Sequence, residues 1–244
     1  MCDHCGCSAP AHEHDHDHAH DHGREVDVRQ SVLSLNDRLA EQNRGFFRAR
    51  GLNVLNLLSG PGAGKTTLIE KTQAALGGEV SLATIVGDLE TENDADRIRE
   101  SGGTAVQITT GEVCHLDAHM VQHALEKLPL DGVQILFIEN VGNLVCPASF
   151  DLGEQRRVVL MSVTEGEDKP LKYPVIFHKA DLVLITKADL AEAVEFDRTQ
   201  ALDHVRRVAP KATVLEVSAK TGTGMDAWLN WLRATLPSGS AASS

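Results

Sequence analysis

The chain has 244 residues, a formal net charge of −12, 42% hydrophobic and 24% charged side chains, and five cysteines. That balance suits one α/β domain with a core of ordinary size plus appendages. It excludes nucleic-acid binding by phosphate neutralisation, because the chain is acidic. It also excludes a membrane span, because no apolar run approaches the roughly 20 residues such a helix needs. No positive region followed by an apolar core opens the chain, so no secretory signal is expected and the protein reads as cytoplasmic.

Residues 1–24 (MCDHCGCSAPAHEHDHDHAHDHGR) have no apolar periodicity and are expected to be a disordered, metal-binding arm. Cys2, Cys5 and Cys7 place three thiols within six residues, with Gly6 permitting the turn that lets Cys5 and Cys7 converge. Thiolates are soft donors suited to Ni(II), Zn(II) or Cu(I), and with Met1 removed the α-amine of Cys2 would complete an N/S set that Ni(II) accepts. His12, His14, His16, His18, His20 and His22 alternate mostly with acids, a pattern that accumulates borderline divalent metals. An odd cysteine count in a cytosolic-type chain points to metal or thiol chemistry, not to a disulfide scaffold.

Residues 25–50 carry Val28, Val32, Leu35 and Leu39 at spacings of three and four, which predicts an amphipathic helix. From residue 51 to 237 strand-like runs alternate with helical patterns. The strands are expected at Leu52–Leu58, Leu82–Val86, Ala105–Ile108, Ile135–Glu139, Val158–Val163, Leu182–Thr186 and Thr213–Val217. Helices are expected at Leu68–Leu76, Leu116–Leu128 and Met225–Leu236. Short apolar strands separated by helices imply a mostly parallel central sheet covered on both faces. Residues 238–244 read as a flexible tail.

The strongest motif is Leu57-Leu58-Ser59-Gly60-Pro61-Gly62-Ala63-Gly64-Lys65-Thr66-Thr67, which leaves a strand and opens a helix, the setting of a P-loop. Backbone amides from Gly60 to Thr67 would cradle phosphates at a helix N-terminus. Lys65 would reach the β- and γ-phosphates, and the Thr66 hydroxyl would ligate Mg²⁺. Ser59 stands where the strict pattern has glycine.

Glu139, at the end of a buried strand, would hold Mg²⁺ through water, and the Gly142 amide would sense the γ-phosphate. Thr186-Lys187-Ala188-Asp189 is similar to the guanine-specificity motif Asn-Lys-x-Asp, with Thr186 in place of Asn. Asp189 would accept hydrogen bonds from guanine N1 and N2, while the Lys187 stem lies along the base. Ser218-Ala219-Lys220 matches the motif whose central amide meets guanine O6. Asp88, at a strand tip facing the phosphates, is the candidate for orienting water or holding Mg²⁺, whereas Asp94 reads as the N-cap of a helix starting near Ala95.

A second metal cluster is expected inside the domain. Cys114 and His115 sit at an expected helix start, and Cys146 follows Gly142 in the nucleotide-sensing region. His119 and His123 read as solvated-face histidines.

With this P-loop, the Cys-x-x-Cys-Gly-Cys start, the His-rich arm, Cys114-His115-Leu116-Asp117, Glu139-Asn140-Val141-Gly142-Asn143-Leu144-Val145-Cys146-Pro147 and Lys169-Pro170-Leu171-Lys172-Tyr173-Pro174, the whole chain resembles the HypB family. These are the nickel-incorporation GTPases of nickel–iron hydrogenase maturation. The resemblance implies a SIMIBI-class P-loop G domain over residues 51–237 that dimerises with GTP. It implies a nickel or zinc site of Cys114, His115 and Cys146 at the dimer face, and a high-affinity nickel site of Cys2, Cys5 and Cys7. The implied cofactors are GTP, Mg²⁺, Ni²⁺ and Zn²⁺; the implied partners are a HypA-type nickel chaperone and the hydrogenase large subunit.

Two rival readings remain. A urease-accessory GTPase carries a Cys-Pro-His metal motif, but here Cys146-Pro147 is followed by Ala148. A nickel store with a decayed G domain would not need Lys65, Thr66, Asp88, Glu139 and Asp189, all of which are intact.

Overall fold

The computed structural model describes residues 19–89 and 93–236, with residues 19–29 described by backbone alone. In chain order it contains α1 (Ala19–Arg50), β1 (Asn53–Ser59), α2 (Lys65–Leu76), β2 (Leu82–Asp88), α3 (Asn93–Glu100), β3 (Thr104–Thr109) and α4 (Ala118–Leu125). There follow β4 (Ile135–Glu139), β5 (Arg156–Ser162), α5 (Lys169–Lys172), α6 (Pro174–His178), β6 (Leu182–Thr186), α7 (Arg198–Val208), β7 (Thr213–Glu216) and α8 (Met225–Thr235). Each expected strand is present to within two residues at either end.

The seven strands form one sheet in the order β3-β2-β4-β1-β5-β6-β7, every pairing parallel. Parallel strands buried on both faces need apolar side chains on both, and the alternation is visible residue by residue. Leu55, Leu57, Phe137, Leu160 and Leu184 face a core built with Leu68 and Ile69 of α2, Ile98 of α3 and Trp228 and Leu232 of α8. Val54, Leu136 and Ile138 face the other way, against Phe47 of α1 and Val121 and Ala124 of α4. On that same side Leu58, Val159 and Val183 pack on Phe177 of α6 and Val205 of α7. Trp228 is fully buried, and its indole N–H donates to the Thr72 hydroxyl at 2.8 Å, so the polar end of the largest core side chain is satisfied.

Four local expectations are corrected. Helix α1 begins at Ala19, so residues 19–24 are helical and not part of a disordered arm. Its packed face is Asn36, Ala40, Asn43 and Phe47, whereas Val32 and Leu35 are 51% and 56% exposed. The reason is polar. The Asn43 amide donates to the Ala118 and Leu152 carbonyls, and Asn36 bonds the Ala118 amide and the Asp151 carbonyl, so α1 docks through buried asparagines that an apolar pattern cannot reveal. Helix α4 starts at Ala118 because Asp117 caps it, accepting from the Met120 amide at 2.7 Å, which leaves Cys114 and His115 in the preceding loop. Asp94 lies inside the first turn of α3, paired with Arg97, and is not its N-cap.

Candidate functional site

In a doubly wound sheet ligands gather beyond the carboxyl ends of the central strands, and β1 sits at the centre of this one, between β4 and β5. The loop from Ser59 to Gly64 leaves β1 and enters α2. Gly62 and Gly64 adopt φ of 70° and 96°, the left-handed conformation that only glycine takes without strain. Ser59 needs no such freedom. Its hydroxyl accepts a hydrogen bond from Lys65 Nζ at 3.0 Å and donates to the Gly60 carbonyl at 2.6 Å, so this departure from the strict pattern anchors the lysine.

Lys65 is buried, which pushes its pKa down, while the nearby Glu139 carboxylate opposes that shift. Glu139 at the end of β4 is 4% exposed and accepts from the Thr66 hydroxyl at 2.8 Å, leaving its other oxygen buried without a partner. Burial raises its pKa to about 7 against the pull of Lys65 and Thr66. A buried carboxylate with one orphaned oxygen, beside a hydroxyl and a lysine, is a donor set that fits Mg²⁺ together with phosphate. Gly142 then passes so close to the phosphate loop that a Cβ on it would lie 2.8 Å from Pro61 Cα. Asp88 ends β2 at the same rim, where its carboxylate accepts from the Leu89 amide. Residues 90–92, which follow, lie outside the described residues.

The far end of the phosphate loop meets the second pair of motifs around a cavity of about 190 Å³, whose lining includes Ala63, Gly64, Thr67, Lys187, Asp189 and Ala219. Thr186 donates to the Ala63 carbonyl at 2.7 Å, so it ties the two loops together in spite of replacing asparagine. Ser218 donates to Asp189 Oδ1 at 2.7 Å, which orients the carboxylate and leaves its second oxygen for a ligand. The Ala188 amide bonds the Val217 carbonyl, joining both motifs through their backbones. Lys187 takes a left-handed backbone, φ 57°, where β6 turns into the loop. Lys220 also lines the cavity.

On the neighbouring loops Cys114, His115 and Cys146 offer ligand atoms within 4.8 Å of one another, the one group of three such residues among those described. The two Sγ atoms are 3.0 Å apart. The His115 ring stacks on Phe150 with centroids 3.9 Å apart, its Nδ1 is buried without a hydrogen-bond partner, and burial lowers its pKa, so the ring is held neutral as a ligand must be. Two thiols and a neutral imidazole are a soft to borderline set, suited to nickel or zinc. His119 and His123 are exposed on α4, with ring nitrogens 3.2 Å apart.

Connections missing from the sequence reading lie between these parts. Asn140, next to Glu139, is 1% exposed; its side-chain oxygen accepts from the Leu116 and Val141 amides, and its NH₂ donates to Asn56. It therefore fastens the Cys114–His115 loop to the strand that carries Glu139. Phe150, Tyr173 and Lys172 join His115 and Cys146 around a cavity of about 600 Å³. Glu165 was legible as the last member of a Ser-x-x-Glu capping box, and the box is present at Ser162–Glu165. Cys2, Cys5, Cys7, His12, His14, His16 and His18 lie outside the described residues, and His20 and His22 fall where only the backbone is described.

The CobW/HypB/UreG nucleotide-binding domain family matches residues 53–216. The hydrogenase maturation factor HypB of Azotobacter chroococcum is 56% identical over 210 residues, 86% of this chain and 68% of that protein. The crystal structure of the hydrogenase maturation factor HypB from Archaeoglobus fulgidus superposes with a TM-score of 0.78 at 45% identity, covering 84% of this chain and 100% of that one. The crystal structure of HypB from Helicobacter pylori in complex with nickel gives a TM-score of 0.78 at 40% identity, covering 85% and 99%.

Proposed function

Since the chain belongs to the HypB hydrogenase maturation factors of the CobW/HypB/UreG family, we propose that it is a GTP-hydrolysing nickel metallochaperone that inserts nickel into nickel–iron hydrogenase. The observation that carries this reading is the stretch from Glu139 to Cys146. Its first residue bonds the phosphate-loop Thr66, its fourth abuts Pro61, and its last pairs with Cys114, so one short segment touches both ligands' sites.

In this reading the amides of Gly60, Gly62, Ala63, Gly64, Thr66 and Thr67 cradle the phosphates while Lys65 balances their charge. Thr66 and Glu139 hold Mg²⁺, which when bound neutralises phosphate oxygens. Asp88 positions the attacking water. Asp189, steadied by Ser218, accepts from guanine N1 and N2, the Ala219 amide donates to O6, and Lys187 and Lys220 flank the base. Catalysis is then alignment and charge neutralisation, with no covalent intermediate on the protein. Cys114, His115 and Cys146 carry nickel, with zinc the competing occupant, and the Gly142 amide reports the γ-phosphate to the loop that ends in Cys146. Binding free energies at the two sites are coupled reciprocally, so nickel alters nucleotide affinity as nucleotide alters nickel affinity.

The same reading assigns Cys2, Cys5 and Cys7 to a high-affinity nickel site and the histidines of the arm to nickel storage. It gives the GTP-bound chain a homodimeric state, a HypA-type chaperone as partner and the hydrogenase large subunit as recipient. The test is a nickel titration of residues 19–244, which keeps α1 whole, run with GDP and with a non-hydrolysable GTP analogue. An affinity or stoichiometry that moves with the nucleotide supports the switched chaperone. No nickel binding in either state transfers the metal function to the arm. The full chain should bind several nickel ions, and a stoichiometry of one or fewer removes storage.

A further inference from the structure

We propose that Cys114 and Cys146 are a redox-modification site: a peroxide converts them to an intramolecular disulfide that closes the metal cluster. The two sulfurs already stand 3.0 Å apart, so they need only about 1 Å more approach to reach a disulfide bond of about 2.05 Å. Both residues lie outside the long helices and strands, Cys114 in the loop ahead of α4 and Cys146 at the start of a single 3₁₀ turn, Cys146–Ser149. Such segments can yield by that amount without breaking a ladder of backbone bonds.

What aligns the sulfurs is Asn143. Its NH₂ donates to the Cys114 carbonyl at 3.4 Å and its side-chain oxygen accepts from the Val145 amide at 2.8 Å, so one side chain bridges the two cysteine loops. Prealignment of this kind raises the effective concentration of one thiol at the other. Access is present too: both cysteines are half-buried, and Cys146 lines the open cavity of about 600 Å³.

The chemistry balances with hydrogen peroxide as oxidant. The Cys146 sulfur, as thiolate, attacks one peroxide oxygen; the O–O bond breaks, a sulfenic acid forms and hydroxide leaves, taking a proton to become water. The Cys114 thiolate then attacks the sulfenic sulfur, forming the S–S bond and expelling the second oxygen as water. Two thiols have lost two electrons and two protons, and one peroxide has become two waters. Neither sulfur keeps the anionic lone pair that binds nickel, and His115 alone does not hold the ion. Thiol exchange reverses the change. The gating consequence rests on the nickel reading above; the bond itself does not.

The experiment uses the full chain, treated with hydrogen peroxide with and without prebound nickel, alkylated and digested with trypsin without reduction. Cleavage after Arg24, Arg99, Lys127 and Arg156 separates peptides 1–24, 100–127 and 128–156. The expected result is peptide 100–127 linked to 128–156 as the predominant cross-link, lost in Cys114→Ser and suppressed by bound nickel. Sulfinic acid on Cys146 without a cross-link, or predominant linkage to 1–24, overturns the disulfide and leaves the nickel reading standing. A cross-link that nickel does not suppress overturns the gating and counts against nickel at this cluster.

Discussion

Replacing Asn140 with alanine tests whether the nucleotide strand and the Cys114–His115 loop are one mechanical unit. The substitution removes three buried hydrogen bonds and strands the Leu116 amide, the Val141 amide and Asn56 Oδ1. An unpartnered buried amide or carbonyl costs about 1–3 kcal/mol, and Asn140 is 1% exposed, so water has little route in to repair the loss. At the low end of that range the three together cost about 3 kcal/mol, read as a fall in the denaturant midpoint at constant slope. Asn56 passes the chain onward to Glu154 and Arg157, so Asn56→Ala and Asn140→Ala share a bond and must be non-additive by about 0.5 kcal/mol or more in a double-mutant cycle. Because Leu116 lies next to His115, the same variant should also weaken nickel binding to residues 19–244. A stability loss below about 1 kcal/mol, or strictly additive singles, refutes the reasoning.

Three other expectations are simpler. Asp189→Asn exchanges a double acceptor for a group that can donate, so affinity should shift from GTP to xanthosine triphosphate, measured by competition with a fluorescent nucleotide. Gly142→Ala forces a methyl to within 2.8 Å of the Pro61 backbone, which should weaken nucleotide binding about tenfold or more through about 1.4 kcal/mol of strain; unchanged affinity would show that the two loops are not in contact. Thr72→Val keeps the side-chain shape but strands the Trp228 indole N–H, with an expected loss of about 1–2 kcal/mol in equilibrium unfolding.

The strands were legible because each is a short apolar run that the sheet buries on both faces. Their spatial order was not, since nothing in β1 announces that β4 will sit between it and β2. The phosphate loop could be read as a contiguous string, and Ser59 and Thr186, which look like weaknesses in that string, prove to be hydrogen-bonding members of it. The cluster of Cys114, His115 and Cys146 was legible from the Cys-His pair and from the place of Cys146 after Gly142, and the family resemblance gave it as a nickel or zinc site. The residues that make it work, Asn140, Asn143 and Phe150, were invisible because their partners are distant in sequence or belong to the backbone. Helix α1 was legible, but its docking face was not, for a similar reason: Val32 and Leu35 gave the apolar signal, while Asn36 and Asn43 do the docking.

The central place of β1 also sets an order of events during synthesis. Residues 53–57 pair on one side with 135–139 and residues 55–59 on the other with 156–160, so the strand that launches the phosphate loop has no neighbour until more than half of the chain has left the ribosome. Contacts of such separation form late and slowly, and until then β1 is an apolar segment with both edges open, the state most prone to wrong pairing. Nucleotide cannot act as a folding template for the early chain. It can only stabilise a molecule whose β4 and β5 have already arrived, and because the proposed base contacts of Asp189 and Ala219 come later still, the earliest ribosome-bound chain able to retain GTP should be one that has exposed residue 220.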